Sequence, residues 1–431
     1  MNRREIYKPI TQRSLENYQV SYLASKYDFS KKSLIAHILV DKINEEISKA
    51  EEAIGIKRIK PYHLYIKKDG KDAALPLFSP DYLMPVHNGE NFCKAKQMVL
   101  RTCNKIYMKS FDSAKPYDLA CLIDPLSKVC RKDQGPYRAM LLSSFKLYNE
   151  KNSEDVNKMI SGINPVSPAQ RMRIPDISAP ASTVDELAGF VKEEIGFGKA
   201  VARQMIEDII TLRNIACPRT AELKSGEMPM LVTHVSARLS LETETRFRRL
   251  APVIITVLTP EEIKCQEYNT RQYLEILKKR VARVAFEAYR QNGLLTLAEM
   301  QWIFLLDSTS LAKIAKSFQL EHNIIIPSPG TILDAGRTMT HKDIIVRLHL
   351  EGHTVTEIAR ITYHSPRAID NYIGTFEAVL ILYLYKMSAE LMSRILVRSI
   401  TLIREYLKLI NEVYKDVSEI KEYLIEKGVR F

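Results

Sequence analysis

The chain is poor in the residues that build several familiar classes of protein. It has one tryptophan and six cysteines among 431 residues, too few thiols for a disulfide-stapled scaffold. Its longest unbroken apolar run, Ala378 to Tyr385, falls far short of the about 20 residues that cross a bilayer as a helix. The opening residues, Met1-Asn-Arg-Arg-Glu-Ile-Tyr-Lys8, hold no apolar stretch of an export signal. There is no GxGxxG, HExxH, GxSxG or Walker loop, so no phosphate cradle, zinc-protease helix or nucleophile elbow is written in the chain. Four cysteines crowd the first third, Cys93, Cys103, Cys121 and Cys130, but none are paired at the short spacing of a zinc knuckle. They read as buried reduced thiols. The expectation is a soluble, cytoplasmic protein with no enzymatic activity, no cofactor, no resident metal and no membrane partner.

What the chain does have is an ordinary globular interior and a basic surface. Hydrophobic residues make up 46% and charged residues 26%, which excludes wholesale disorder, and the length predicts more than one folding unit. Lys plus Arg number 63 against 51 Asp plus Glu, a net charge of +12. A surplus of that sign favours a polyanionic partner, although no basic tail concentrates it.

The patterning predicts a mainly α chain with small β elements, α+β towards the N-terminus. Residues 1–160 form the first region. There, Leu34, Ile35, Ile38, Leu39, Ile43 and Ile47 keep a helical period, and His63 to Gly70 reads as a strand entering an Asp-Gly turn, with 72–78 returning. A degenerate helix-turn-helix is a candidate near 107–145. Residues 161–182, with Pro165, Pro168, Pro175 and Pro180, form a linker. Thr183-Val-Asp-Glu186 has the capping-box pattern and opens a helical hairpin over 183–218. Region 219–295 contains a strand at Val253–Leu258 and one long helix from Glu262 to Arg290. The remainder, 296–431, is read as a tandem helix-turn-helix array.

That last reading rests on an internal repeat. Residues Thr354–Ile373 and Ser388–Leu407 align 34 positions apart, with Arg360/Arg394, Ile361/Ile395, Ser365/Ser399, Ile369/Ile403 and Tyr372/Tyr406 identical. A cap, a small residue at Ala359/Ser393, a second serine cap and an inward i, i+3, i+4 apolar set are the grammar of a helix-turn-helix. A weaker copy begins at Thr296, with Leu305 and Leu306 where a turn glycine often stands. The apolar stretch from Leu380 predicts that the second helix of one unit runs nearly straight into the first helix of the next. Between the copies, Pro327 to Lys342 suggests a short hairpin or wing, followed by a helix over 341–351.

Arg248 to Glu262, Ala288 to Thr296, Pro327-Ser-Pro-Gly330, Asp334-Ala-Gly336, Thr340-His-Lys342, Thr356-Glu-Ile-Ala-Arg360 and Tyr363-His-Ser365 resemble a prokaryotic domain-of-unknown-function family, number sixteen-seventy, best over 245–415. The resemblance implies tandem helix-turn-helix units and DNA binding, and brings no catalytic activity with it.

The residues expected at the start or on the wet face of each second helix are His364, Ser365, Arg367 and Asn371 in one unit. In the other they are Arg398, Ser399, Thr401 and Arg404. Arg grips a guanine edge and Asn an adenine edge in the major groove, so Arg367 and Asn371 are the base-reading candidates. The leading reading is a sequence-specific protein for double-stranded DNA, a transcriptional regulator or mobile-element factor, compatible with a homodimer. Two alternatives stand beside it: a sigma-like factor bound to RNA polymerase, and a scaffold that binds another protein through degenerate units.

Overall fold

The computed structural model describes residues 10, 13–27, 33–77, 92–111, 181–237, 249–264, 270–322, 324–333, 340–362, 364 and 366–430. Within them the chain is mainly helical with small antiparallel sheets. It divides into two compact units, Met1–His322 with Ile326–Pro329, and Asn323–Ile325 with Gly330–Phe431. The helix pair beginning at Thr296 therefore belongs to the first unit, not to the helices that follow it. No helix among the described residues is long and apolar enough to cross a membrane.

The first unit opens with α1 (Leu15–Lys26) and α2 (Ser33–Ala53). Both pack with α4 (Ala181–Ile195) and α5 (Lys199–Ala216) around Leu23, Leu39, Ile43, Ile47, Val191, Ile206 and Ile209. The period of Leu39, Ile43 and Ile47 puts them on the buried stripe, while Leu34, Ile35 and Ile38 face water. Helix α4 begins two residues before Thr183, which lies in its first turn and not at the cap. A buried ion cluster ties α2 to α5: Glu51 accepts from Arg58 Nε at 2.7 Å and from Arg213 Nη1. Burial raises the Glu51 carboxyl, but the two guanidiniums outweigh it and hold the group below its usual range.

Strands β1 (His63–Lys68) and β2 (Lys71–Pro76) form the expected hairpin. Its turn residues Asp69 and Gly70 have φ of 51° and 76°, the left-handed pair that a two-residue hairpin turn requires. Helix α3 (Phe92–Phe111) rests against this hairpin, with Ala95, Val99, Cys103 and Tyr107 buried. Burial pushes the free Cys103 thiol up to about 12, and Cys217 likewise, so both are reduced core thiols. The candidate copy near 107–145 is described only to Phe111, as the end of α3; its remainder, the linker up to 180, and Cys121 and Cys130 lie outside the described residues.

A three-stranded antiparallel sheet of order β4-β3-β5 sits beside that hairpin: β3 (Glu227–His234), β4 (Leu250–Thr256) and β5 (Gly293–Leu294). The expected strand at 253–258 starts and ends earlier and alternates in burial, because only one of its faces meets the core. Two glycines are obligatory here. A Cβ on Gly226 would stand 1.9 Å from the Leu258 carbonyl oxygen, and one on Gly293 would stand 2.4 Å from Val232. The outer edge of β4 is closed by side chains of α7 (Thr270–Arg290) and the residue just beyond it. Thr256 N–H donates to Glu287 at 2.6 Å, and Gln291 bonds both the N–H and the carbonyl of Ile254 at 2.9 and 2.7 Å. The single helix expected over 262–290 is described as α6 (Pro260–Lys264) and α7, with 265–269 outside the described residues. Thr259 and Glu262 exchange hydrogen bonds at the start of α6.

Helices α8 (Leu297–Phe304) and α9 (Ser308–His322) complete the first unit. The second unit begins near a helical turn, α10 (Pro329–Ile332), where a wing was expected. It continues with α11 (Thr340–Leu350), α12 (Val355–Thr362), α13 (Pro366–Leu384), α14 (Ala389–Leu396), α15 (Ile400–Val413) and α16 (Val417–Glu426). Helix α13 is the spine. Its first half, through Ile369 and Ile373, joins Ile344, Ile345, Leu348 and Ile358 of α11 and α12. Its second half, through Phe376, Val379 and Leu380, joins Met392, Ile403, Tyr406 and Ile410 of α14 and α15. It does not run on into α14: Lys386 adopts φ of 52° and Ser388 caps the next helix, so a turn stands between them.

Candidate nucleic-acid interface

The α12–α13 pair is assembled from its caps inward. Thr354 and Glu357 form a reciprocal capping box, with Thr354 N–H donating at 2.8 Å and Glu357 N–H donating back to Oγ1 at 3.3 Å. This satisfies two of the free donors at the start of α12. Ala359 packs against the Ile358, Ile369 and Ile373 cluster, where its small side chain lets α13 cross closely. Ile369 and Ile373 are core, as expected.

His364 is not where the sequence put it. It is 8% exposed, its Nδ1 lies 2.7 Å from the Thr362 carbonyl, and its ring meets Tyr372 edge-on at 5.8 Å. It closes the turn from inside, so it is part of the packing and not of the wet face. Ser365 lies outside the described residues. Arg367, Asp370, Asn371 and Gly374 are all exposed and fall on one stripe of α13 at i, i+3, i+4, i+7. Gly374 was missed by the sequence reading, although the same spacing would have reached it.

The α14–α15 pair repeats the plan. Ser388 Oγ accepts from Leu391 N–H and Ser399 Oγ from Leu402 N–H, both at 3.3 Å. Ser399 is therefore the cap of α15, exposed but already engaged. Arg398, Thr401 and Arg404 are exposed. Arg404 pairs with Glu390 at 3.1 Å, with the side chains 64% and 58% exposed, and a pair that open to water contributes little. Lys408, one turn on from Arg404, extends the stripe at 79% exposure and also went unnoticed in the sequence. Glu405 is half-buried off this stripe. Desolvation raises its carboxyl pKa, against the pull of Lys342.

The α8–α9 pair carries the same local marks in a different setting. Thr296 and Glu299 form a capping box, and Leu305 takes the left-handed turn position itself, at φ 51°. The turn is thus intact without glycine. Asp307 caps α9, accepting from Thr309 and Ser310 N–H at 3.0 and 2.9 Å. From Ala298 to Leu306 every residue is buried. Glu299 is also paired with Arg13, both within the core, and Lys278 fixes α9 to α7 through Glu321 at 2.6 Å.

The first unit also holds a cavity of about 860 Å³ lined by Arg13, Glu51, Arg58, His63, Arg213 and Cys217. Within it Glu51 is engaged by both Arg58 and Arg213. Among the described residues no group of three or more His, Cys, Asp or Glu is placed to hold a metal ion.

A family model described as "Protein of unknown function (DUF1670)" matches residues 191–409. The match takes in α5, the β3-β4-β5 sheet and all three helix pairs, and so begins well before the stretch that carried the resemblance in the sequence. No curated protein and no solved structure matches the chain.

Proposed function

The chain belongs to the DUF1670 family, and we propose that it binds double-stranded DNA sequence-specifically, as a transcriptional regulator or mobile-element factor of the prokaryotic cytoplasm. What supports this most is the sharing of α13 by two capped helix pairs, each with an exposed second-helix stripe. Both pairs then act as helix-turn-helix units held in one orientation.

In this reading the first turns of α13 enter the major groove. Arg367 offers a bidentate donor to guanine O6 and N7, and Asn371 a donor–acceptor pair to adenine. Asp370 beside them opposes phosphate, so the α13 stripe is suited to base edges and not to the backbone. The α15 stripe is cationic instead: Arg398, Arg404 and Lys408 are placed for phosphate, with Thr401 as a hydroxyl donor. The weak Glu390 pair leaves Arg404 available at little cost.

The test is selection of bound sequences from random duplex DNA by the full-length protein at low salt. Enrichment of a motif is expected, and its absence would sink the proposal. Arg367→Ala should then weaken binding to the selected site by about 1–3 kcal/mol while leaving random DNA unaffected.

A further inference from the structure

The exposed face of α14 does something that DNA binding does not require. Leu391, Ile395 and Val397 are 44%, 49% and 85% exposed, and Met392 is the helix's one fully buried residue. Leu391, Arg394 and Ile395 fall at i, i+3, i+4, a single stripe of apolar and cationic side chains, and Arg398 follows the turn just beyond the helix.

Val397 ends the helix in the left-handed region, at φ 51°. A β-branched residue avoids this conformation unless its surroundings hold it there. Leu305, at the matching turn of α8–α9, has the same φ but is 1% exposed; the core holds its side chain. For Val397 no such anchor exists within the described residues of its unit, so a glycine would serve the turn better unless the isopropyl group meets something outside.

We infer that α14 and the turn after it form a docking surface for a protein segment presenting apolar side chains flanked by carboxylates. The charges select this occupant. Arg394 and Arg398 are exposed beside the patch, and the carboxylate that borders it, Glu390, is engaged by Arg404. A second copy docking on the same face would bring Arg394 and Arg398 against their own counterparts. An anionic bilayer satisfies the charge but not the size, since three side chains on an eight-residue helix bury little in a membrane. Exposed Arg beside large apolar groups is the composition of a protein–protein interface core. Apart from Arg398, none of these side chains belongs to the α13 or α15 stripe, so the inference stands whether or not those stripes meet DNA.

The test is to pan a displayed library of random peptides against the immobilised full-length chain at physiological salt. Peptides with apolar residues at helical spacing and interleaved Asp or Glu should be enriched. A synthetic enriched peptide should bind the wild-type chain and lose about tenfold in affinity on each of Ile395→Ser and Val397→Gly. Val397→Gly suits the turn, so it keeps the fold even where Ile395→Ser does not, as circular dichroism would record. A peptide with Lys in place of its carboxylates should not bind. The inference is overturned by no enrichment, by enrichment of neutral or basic peptides, or by binding that both variants leave intact. Self-association of the wild-type chain that Val397→Gly abolishes overturns it too, as does retention on phosphatidylserine vesicles in place of peptide.

Discussion

The α8–α9 and α14–α15 pairs start from nearly the same instructions and end as different objects. Each has a hydroxyl cap, an eight-residue first helix and a left-handed apolar residue at the turn, followed by a second capped helix. In α8–α9 the first helix is buried from Ala298 onward, its cap carboxylate is paired with Arg13, and its turn leucine lies in the core. In α14–α15 one residue of the first helix is buried and the turn valine stands in water. Local sequence specifies the helix pair. What the pair can touch is decided by the surface it is laid against.

The largest difference should appear at the two capping carboxylates. Glu299 is fully buried and bonds Thr296 N–H and Oγ1 at 2.7 and 2.6 Å as well as Arg13. Glu299→Ala leaves the Arg13 guanidinium buried without its partner and should cost about 3–5 kcal/mol of stability. The exposed counterpart Glu357 makes the same box on α12, and Glu357→Ala should cost only about 1 kcal/mol. Equal losses in chemical denaturation would show that the buried pair is no more than a cap.

Next come the two left-handed turns, where one substitution should have opposite signs. Leu305→Gly relieves backbone strain but removes a buried leucine, for a net loss of about 2–4 kcal/mol. Val397→Gly relieves the same strain and gives up no burial, so stability should rise by up to about 1 kcal/mol. Two losses of equal size would mean that Val397 packs against something in the free protein.

This contrast also marks what the sequence can and cannot say. The β1–β2 hairpin was legible because Asp69-Gly70 is the dipeptide its turn demands, and α12 to α15 because caps and apolar periods are local signals. Strand β3 was missed because Pro229 is its third residue, and proline normally argues against a central strand. Here Pro229 costs nothing. N–H and C=O of one strand residue point the same way, and the Pro229 carbonyl faces the Tyr62 N–H at 2.7 Å, away from the β4 ladder. The length of β5, two residues, left no pattern to find. His364 was expected at the start or on the wet face of the second helix. Its burial depends on Tyr372 and Thr362 closing over it, which no spacing rule encodes. The buried partner of Glu299 in α8, Arg13, is 286 residues away.

In the second unit, the stripes on α13 and α15 should separate in solution as they do in charge. Arg404→Ala should weaken binding to selected and random DNA alike and reduce the salt slope by about one. Arg367→Ala should act on the selected site alone. The reverse assignment would mean that α15 reads and α13 grips.

The smallest expected effect is one that the two units share. His322 near the end of α9 and His349 near the end of α11 are both held below their ordinary pKa of 6.5, chiefly because burial penalises the charged ring. A helix C-terminus favours positive charge, so here desolvation wins. The His322 ring lies tilted against Phe318 at 4.4 Å, and His349 Nε2 meets the Tyr423 hydroxyl at 3.1 Å. A histidine whose folded pKa is lowered takes up its proton more readily in the unfolded chain. Its contribution to stability is therefore complete above pH 6.5 and is lost as pH falls below that value. His322→Gln and His349→Gln should each flatten the fall in melting temperature below pH 6.5, by similar small amounts. Flattening by only one of them would place the acid sensitivity in a single unit, and the two units would then differ in protonation as well as in burial.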